Sequence, residues 1–236
     1  YKDIWRLNGK EYPSRQHGFA RDSEFICTDI TDASLTFVLK SSEETLKVYP
    51  FAFALKITYT LKEHDLDVCW EVVNKDSETM YFTIGGHPAF RVPVREGESQ
   101  SDYRLAFEEQ DALTYLLIDT SVGTVIADEP HTLSLEKGTC TIDPHMFDKD
   151  ALVFDNGQIQ KASILLPDGT PYLTLTSEGF PNFGIWSVPG APFVCLEPWM
   201  GRCDDCGFEK PLSEKANINV LKPDEEFIKS YQITVH

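Results

Sequence analysis

Long apolar runs are missing from this sequence. None of its 236 residues falls in a stretch approaching the ~20 apolar residues that a membrane-crossing helix needs. Basic residues are also scarce: 21 Lys and Arg face 38 Asp and Glu, a net charge of −17. Such a surface repels phosphate backbones and anionic bilayers, so neither nucleic acid nor a membrane is expected as a partner. No segment carries a helical period with caps at both ends, and there is no internal repeat, low-complexity tract or linker. A single domain over 1–236 is therefore expected. Cysteines number six, scattered at Cys27, Cys69, Cys140, Cys195, Cys203 and Cys206 with no secretory leader ahead of them. That usage favours reduced thiols in a cytoplasmic protein.

A period of two runs through what is present. Phe51, Phe53, Leu55, Ile57, Tyr59 and Leu61 alternate with small or polar neighbours, the mark of a strand with one buried face. After the polar break Lys62–Asp65, the residues Leu66, Val68, Trp70 and Val72 alternate with Asp67, Cys69 and Glu71, which completes an antiparallel hairpin. Phe227, Tyr231, Ile233 and Val235 repeat the pattern near the end of the chain. Shorter runs lie between, at Leu35–Leu39, Met80–Ile84, Leu152–Phe154, Ser163–Leu166 and Tyr172–Thr176, separated by turns such as Pro167-Asp168-Gly169. Many short strands with turn signals between them predict an all-β sandwich or barrel-like fold.

Four segments put titratable groups in unusual settings. In Gly85-Gly86-His87-Pro88-Ala89-Phe90, paired glycines let the backbone approach a neighbour closely and the proline stiffens the chain on the far side of the histidine. An imidazole held there, after the run Met80–Ile84, suits proton transfer, although a lone histidine is more often structural. In Phe193-Val194-Cys195-Leu196-Glu197-Pro198-Trp199, a carboxylate ends an apolar strand. Loss of hydration raises its pKa and makes it a stronger base, unless it is a paired structural acid. His17 and Arg21 stand close together in a Gly-containing turn. Phe147-Asp148-Lys149-Asp150 reads by default as a surface loop. The Cys203–Cys206 pair has zinc-knuckle spacing without the second pair that a structural site needs, and Asp143-Pro144-His145 reads as a turn.

With these motifs the chain resembles the aldose 1-epimerase (galactose mutarotase-like) superfamily, and within it the LacX-like branch related to hexose-6-phosphate epimerases. The blocks HGFARD (17–22), YPFAF (49–53), GGHPAF (85–90), DALVF (150–154) and FVCLEPW (193–199) occur in the family's order. The resemblance implies a large antiparallel β-sandwich of the supersandwich type, in agreement with the periodicity. It implies His87 as general acid and Glu197 as general base, with His17, Arg21 and Asp150 (or the nearby Asp148) binding the sugar. Trp199 or Trp186 would cover an apolar sugar face. The activity implied is interconversion of the α and β anomers of an aldohexose, with no metal and no cofactor, in a monomer or homodimer. A hexose-6-phosphate epimerase and a non-catalytic sugar-binding or sensing module are the alternatives. The family's strands and sugar-binding arginine upstream of the HGF block have no counterpart before Tyr1, so a domain short at its N-terminus is expected.

Overall fold

A computed structural model describes residues 2–108 and 110–236; Tyr1 and Glu109 lie outside the described residues. Strand accounts for 47% of the chain and helix for 6%, so the protein is nearly all-β, with large antiparallel sheets. Two compact units are formed, one by Tyr1–Thr83 with Gly207–Gln232, the other by Ile84–Cys206 with Ile233–His236.

The first unit is built around the hairpin read from the alternation. Phe53–Lys62 and Asp65–Asn74 pair along their full length, from Phe53 opposite Asn74 to Lys62 opposite Asp65. The two-residue turn takes Glu63 into the left-handed region at φ 54°, and Lys62 Nζ closes it on Asp67 at 2.9 Å. Leu55, Val68, Trp70 and Val72 are buried, whereas Asp67, Cys69 and Glu71 point the other way, as a period of two requires. Each such apolar side chain contributes roughly 1.5–3 kcal/mol when fully buried. Ser34–Lys40 and then Ile26–Ile30 extend this sheet on the side of Phe53–Lys62, and Glu226–Val235 flanks Asp65–Asn74. The one α-helix among the described residues, Glu43–Val48, has six residues, too few to register as a helical period. Its start is held by a reciprocal pair: Ser42 N–H donates to Thr45 Oγ1 at 2.8 Å and Thr45 N–H to Ser42 Oγ at 3.3 Å.

The second unit contains two larger runs of paired strands beside two short two-stranded sheets among its described residues. One orders Thr139–Thr141, Arg104–Ala106, Lys161–Leu165 and Pro171–Thr176; the other orders Leu152–Phe154, Asn182–Trp186, Phe193–Met200 and Ile84–Gly85, with Ala89–Arg91 also pairing to Phe193–Met200. Leu105, Ile164, Leu175, Phe183, Ile185 and Leu196 supply a core that is 0–1% exposed. The run Met80–Ile84 is not one strand. It breaks at Thr83, because Met80–Phe82 pairs with Asn219–Leu221 whereas Ile84–Gly85 pairs with Trp199 and Met200. Hydrophobicity is continuous across the break, so the pattern alone carries no sign of the change of partner. Among the described residues no helix is long and apolar enough to cross a membrane.

Candidate active site

The second unit's five-stranded sheet brings the chemistry together, and strand register explains how. Residues two apart share a face, so Cys195, Glu197 and Trp199 project from the same side of Phe193–Met200. Their partners on the adjoining strand are Trp186, Gly184 and Asn182, in that order. Across the other edge Gly85 stands opposite Trp199 and Ala89 opposite Cys195. The turn between Gly85 and Ala89, which carries His87, is tied along the strand by Gly86 N–H to Pro198 O at 3.0 Å and Leu196 N–H to Pro88 O at 3.3 Å. His87 Nδ1 thereby comes to 3.4 Å from Glu197 Oε1. The two side chains differ in access: that of His87 is 39% exposed and that of Glu197 only 5%.

Glycine at two positions has a steric reason. A Cβ on Gly85 would lie 2.5 Å from Trp199 Cδ1, and one on Gly184 would lie 2.4 Å from Trp199 Cζ2. The indole therefore lies across the bare backbone of both neighbouring strands, packed also against Leu116, Val125 and Val153. From there its N–H favours the ionised form of the Glu197 carboxylate. Trp186 meets the His87 imidazole edge to face, with ring centroids 5.7 Å apart.

Burial dominates the electrostatics of Glu197. Desolvation pushes its pKa from 4.5 to about 8; the Trp199 hydrogen bond opposes the rise and the negative charge of Asp150 adds to it. A group poised near neutrality can hold a proton in one half of a reaction and release it in the other. Burial, and then the Glu197 charge, likewise push the Cys195 thiol up to about 12, which removes it as a nucleophile near pH 7.

Asp150 precedes Leu152–Phe154 in the left-handed region at φ 76°, its Oδ1 accepting from Ala151 N–H at 2.7 Å. Asp148 is instead engaged with His145 Nδ1 at 2.9 Å on an exposed turn. His17 and Arg21 belong to the first unit. His17 is exposed at φ 65°, and Arg21 donates through Nε to Asp22 Oδ1 at 3.2 Å, which holds the Asp22 carboxyl below its usual range.

The segment Arg202–Cys206 uses its residues differently from a metal knuckle. Cys203 packs beside Leu116, Val125 and Val153, and Cys206 Sγ lies 3.1 Å from Thr124 Oγ1. Arg202, 9% exposed, donates through Nε to Asp155 Oδ1 at 2.8 Å and through Nη2 to Asp155 Oδ2 at 2.9 Å. Asn182 Nδ2 donates to the same carboxylate at 2.8 Å, so this ion pair anchors the ends of three neighbouring strands beside Trp199. Nothing in the sequence pairs Arg202 with Asp155, which stand 47 residues apart.

The described residues thus define a nearly all-β protein with a buried carboxyl, an accessible imidazole and two indoles on one sheet face. The family model for aldose 1-epimerase matches residues 4–234, and the chain belongs to that family. It is 30% identical over 223 residues to the plasmid-encoded protein LacX of Lactococcus lactis subsp. lactis, covering 94% of this chain and 75% of LacX. Among solved structures, it is similar to a galactose mutarotase related enzyme from Lactobacillus acidophilus, with a TM-score of 0.91 and 32% identity over 99% of this chain and 78% of that one. A galactose mutarotase-like protein from Lactobacillus casei gives a TM-score of 0.86 and 31% identity, covering 99% and 80% of the two chains. The chain therefore has the galactose mutarotase-like β-sandwich fold, in the LacX-like branch.

Proposed function

We propose that this protein is an aldose 1-epimerase, a mutarotase that opens and recloses the ring of an aldohexose with Glu197 as base and His87 as acid. The observation that carries the reading is the 3.4 Å approach of His87 Nδ1 to Glu197 Oε1. Ring opening removes the proton from the anomeric hydroxyl and delivers one to the ring oxygen. Both oxygens are bonded to the same carbon, so two groups this close can each reach one of them. Glu197 as carboxylate accepts the hydroxyl proton while His87 as imidazolium donates to the ring oxygen, and the C1–O5 bond breaks to leave the open-chain aldehyde. Rotation about C1–C2 presents the other carbonyl face, and closure runs the same transfers backwards. Each positioned proton transfer contributes typically ~10²–10⁴-fold. In this reading Asp150 holds sugar hydroxyls, and Trp199 with Trp186 supplies apolar surface to a pyranose face. A single family model spanning 4–234 supports treating 1–236 as one mutarotase-like domain.

The direct test is anomer exchange by NMR or polarimetry on glucose and galactose. Glu197→Gln and His87→Asn should each lower the rate by two or more orders of magnitude while the far-UV spectrum is unchanged. Near-normal turnover by either variant would remove that residue from its role.

A second substrate class, the hexose 6-phosphates, draws support from Arg91, exposed on Ala89–Arg91 and paired with Phe193, two residues along the strand from Cys195. Against it, Arg21 already engages Asp22, and a net charge of −17 disfavours the approach of a dianion. Competition between glucose and glucose 6-phosphate at low and physiological salt separates the two. A kcat/KM favouring the phosphorylated sugar, weakened by Arg91→Ala or by salt, would make it the substrate.

A further inference from the structure

We propose that His87, Cys195 and Glu197 also form a binding site for a soft divalent transition-metal ion such as Zn²⁺, and that the ion, once bound, blocks the sugar site. An imidazole nitrogen, the Cys195 sulfur and a Glu197 oxygen all lie within 4.8 Å of one another. A tetrahedral zinc ion with bonds of ~2.0 Å to nitrogen or oxygen and ~2.3 Å to sulfur holds N and O ~3.3 Å apart and N and S ~3.6 Å apart. The His87–Glu197 separation of 3.4 Å already matches the first spacing. Bringing the sulfur in requires a movement of at most ~1.2 Å, within reach of a side-chain adjustment about χ1.

Three features make the trio more than an accident of proximity. Cys195 and Glu197 are fixed on one face of a central strand by pairing on both sides, so two ligands are preorganised. The His87 side chain is 39% exposed, which leaves an entry route for the ion. The Trp199 N–H favours the ionised Glu197 carboxylate, the form that ligates a metal. The N, S, O donor set selects Zn²⁺, Co²⁺ or Cd²⁺ over Mg²⁺ and Ca²⁺. Binding sends the thiol proton and, below about pH 8, the Glu197 proton to solvent, and the cation compensates the two negative charges so formed. The ion claims the lone pairs of both proposed catalytic groups, so it competes with the sugar; this inhibitory consequence rests on the proposed function, whereas the binding itself does not.

The test separates the two. The EDTA-treated full-length protein is titrated with Co²⁺, whose bond to a thiolate produces a near-ultraviolet charge-transfer absorption. The band is expected in the wild type and in Cys206→Ser, is displaced by Zn²⁺ and is unaffected by excess Mg²⁺. It is lost in Cys195→Ala and in His87→Asn, the latter an exposed substitution that leaves the fold intact. A wild type without the band, or a band that survives His87→Asn and Cys195→Ala, overturns the site. In anomer exchange Zn²⁺ should inhibit, EDTA should restore the rate, and saturating sugar should protect. A cobalt band with no sugar turnover in metal-free protein would sink the mutarotase reading and leave the metal site standing.

Discussion

The buried carboxyl of Glu197 ties stability to pH in a direction that can be worked out. Its pKa is about 8 in the folded protein against 4.5 when solvated, so the folded state holds the proton more tightly than the unfolded chain. Between those values the unfolded chain binds fewer protons, and stability falls as pH rises. The loss begins near pH 4.5 and is complete above pH 8. A shift of 3.5 at 1.36 kcal/mol per unit sets an upper value of about 5 kcal/mol; water penetration and local relaxation bring the expected loss to ~2–5 kcal/mol. Glu197→Gln keeps the shape and an acceptor for the Trp199 N–H but cannot ionise, so it escapes the loss. The measurement is urea unfolding of wild type and variant at pH 5 and pH 9, read as a double difference so that every other titrating group cancels. The variant should gain ~2–4 kcal/mol relative to wild type between the two pH values, since a little of the full effect is already lost at pH 5. A double difference within ~0.5 kcal/mol of zero would refute the burial argument.

Two further outcomes concern the same face of the sheet. Trp199→Phe removes the N–H that holds the Glu197 pKa down, so the acid limb of kcat/KM against pH should move to higher pH, with the rate recovering toward wild type above the limb; an unmoved limb with a uniformly lower rate would make Trp199 a mere packing residue. Gly184→Ala drives a methyl to within 2.4 Å of the Trp199 ring and should destabilise by ~1–3 kcal/mol while disturbing the indole's fluorescence, whereas a variant as stable as wild type with an unchanged spectrum would show that the ring has room to move.

Much of this protein was legible from residue order alone. The alternation over Phe53–Lys62 and Asp65–Asn74 determined a hairpin, since side chains on a pleated strand must point to opposite faces and only one face was apolar. Five motif blocks in order determined the family. Cys195, Glu197 and Trp199 were bound to share a face because they are two apart on a strand. Which neighbours complete that face was decided by tertiary structure, because register between strands distant in sequence is a property of the packed sheet. Gly184, lying under Trp199, acquires its meaning only when Asn182–Trp186 docks beside Phe193–Met200. Arg202 finds Asp155 the same way, and the break at Thr83 comes from a change of partner that hydrophobicity does not record. The sequence placed an apolar flank beside Glu197; only the closed sheet, by taking water away from the carboxyl, decided how far its proton affinity rises.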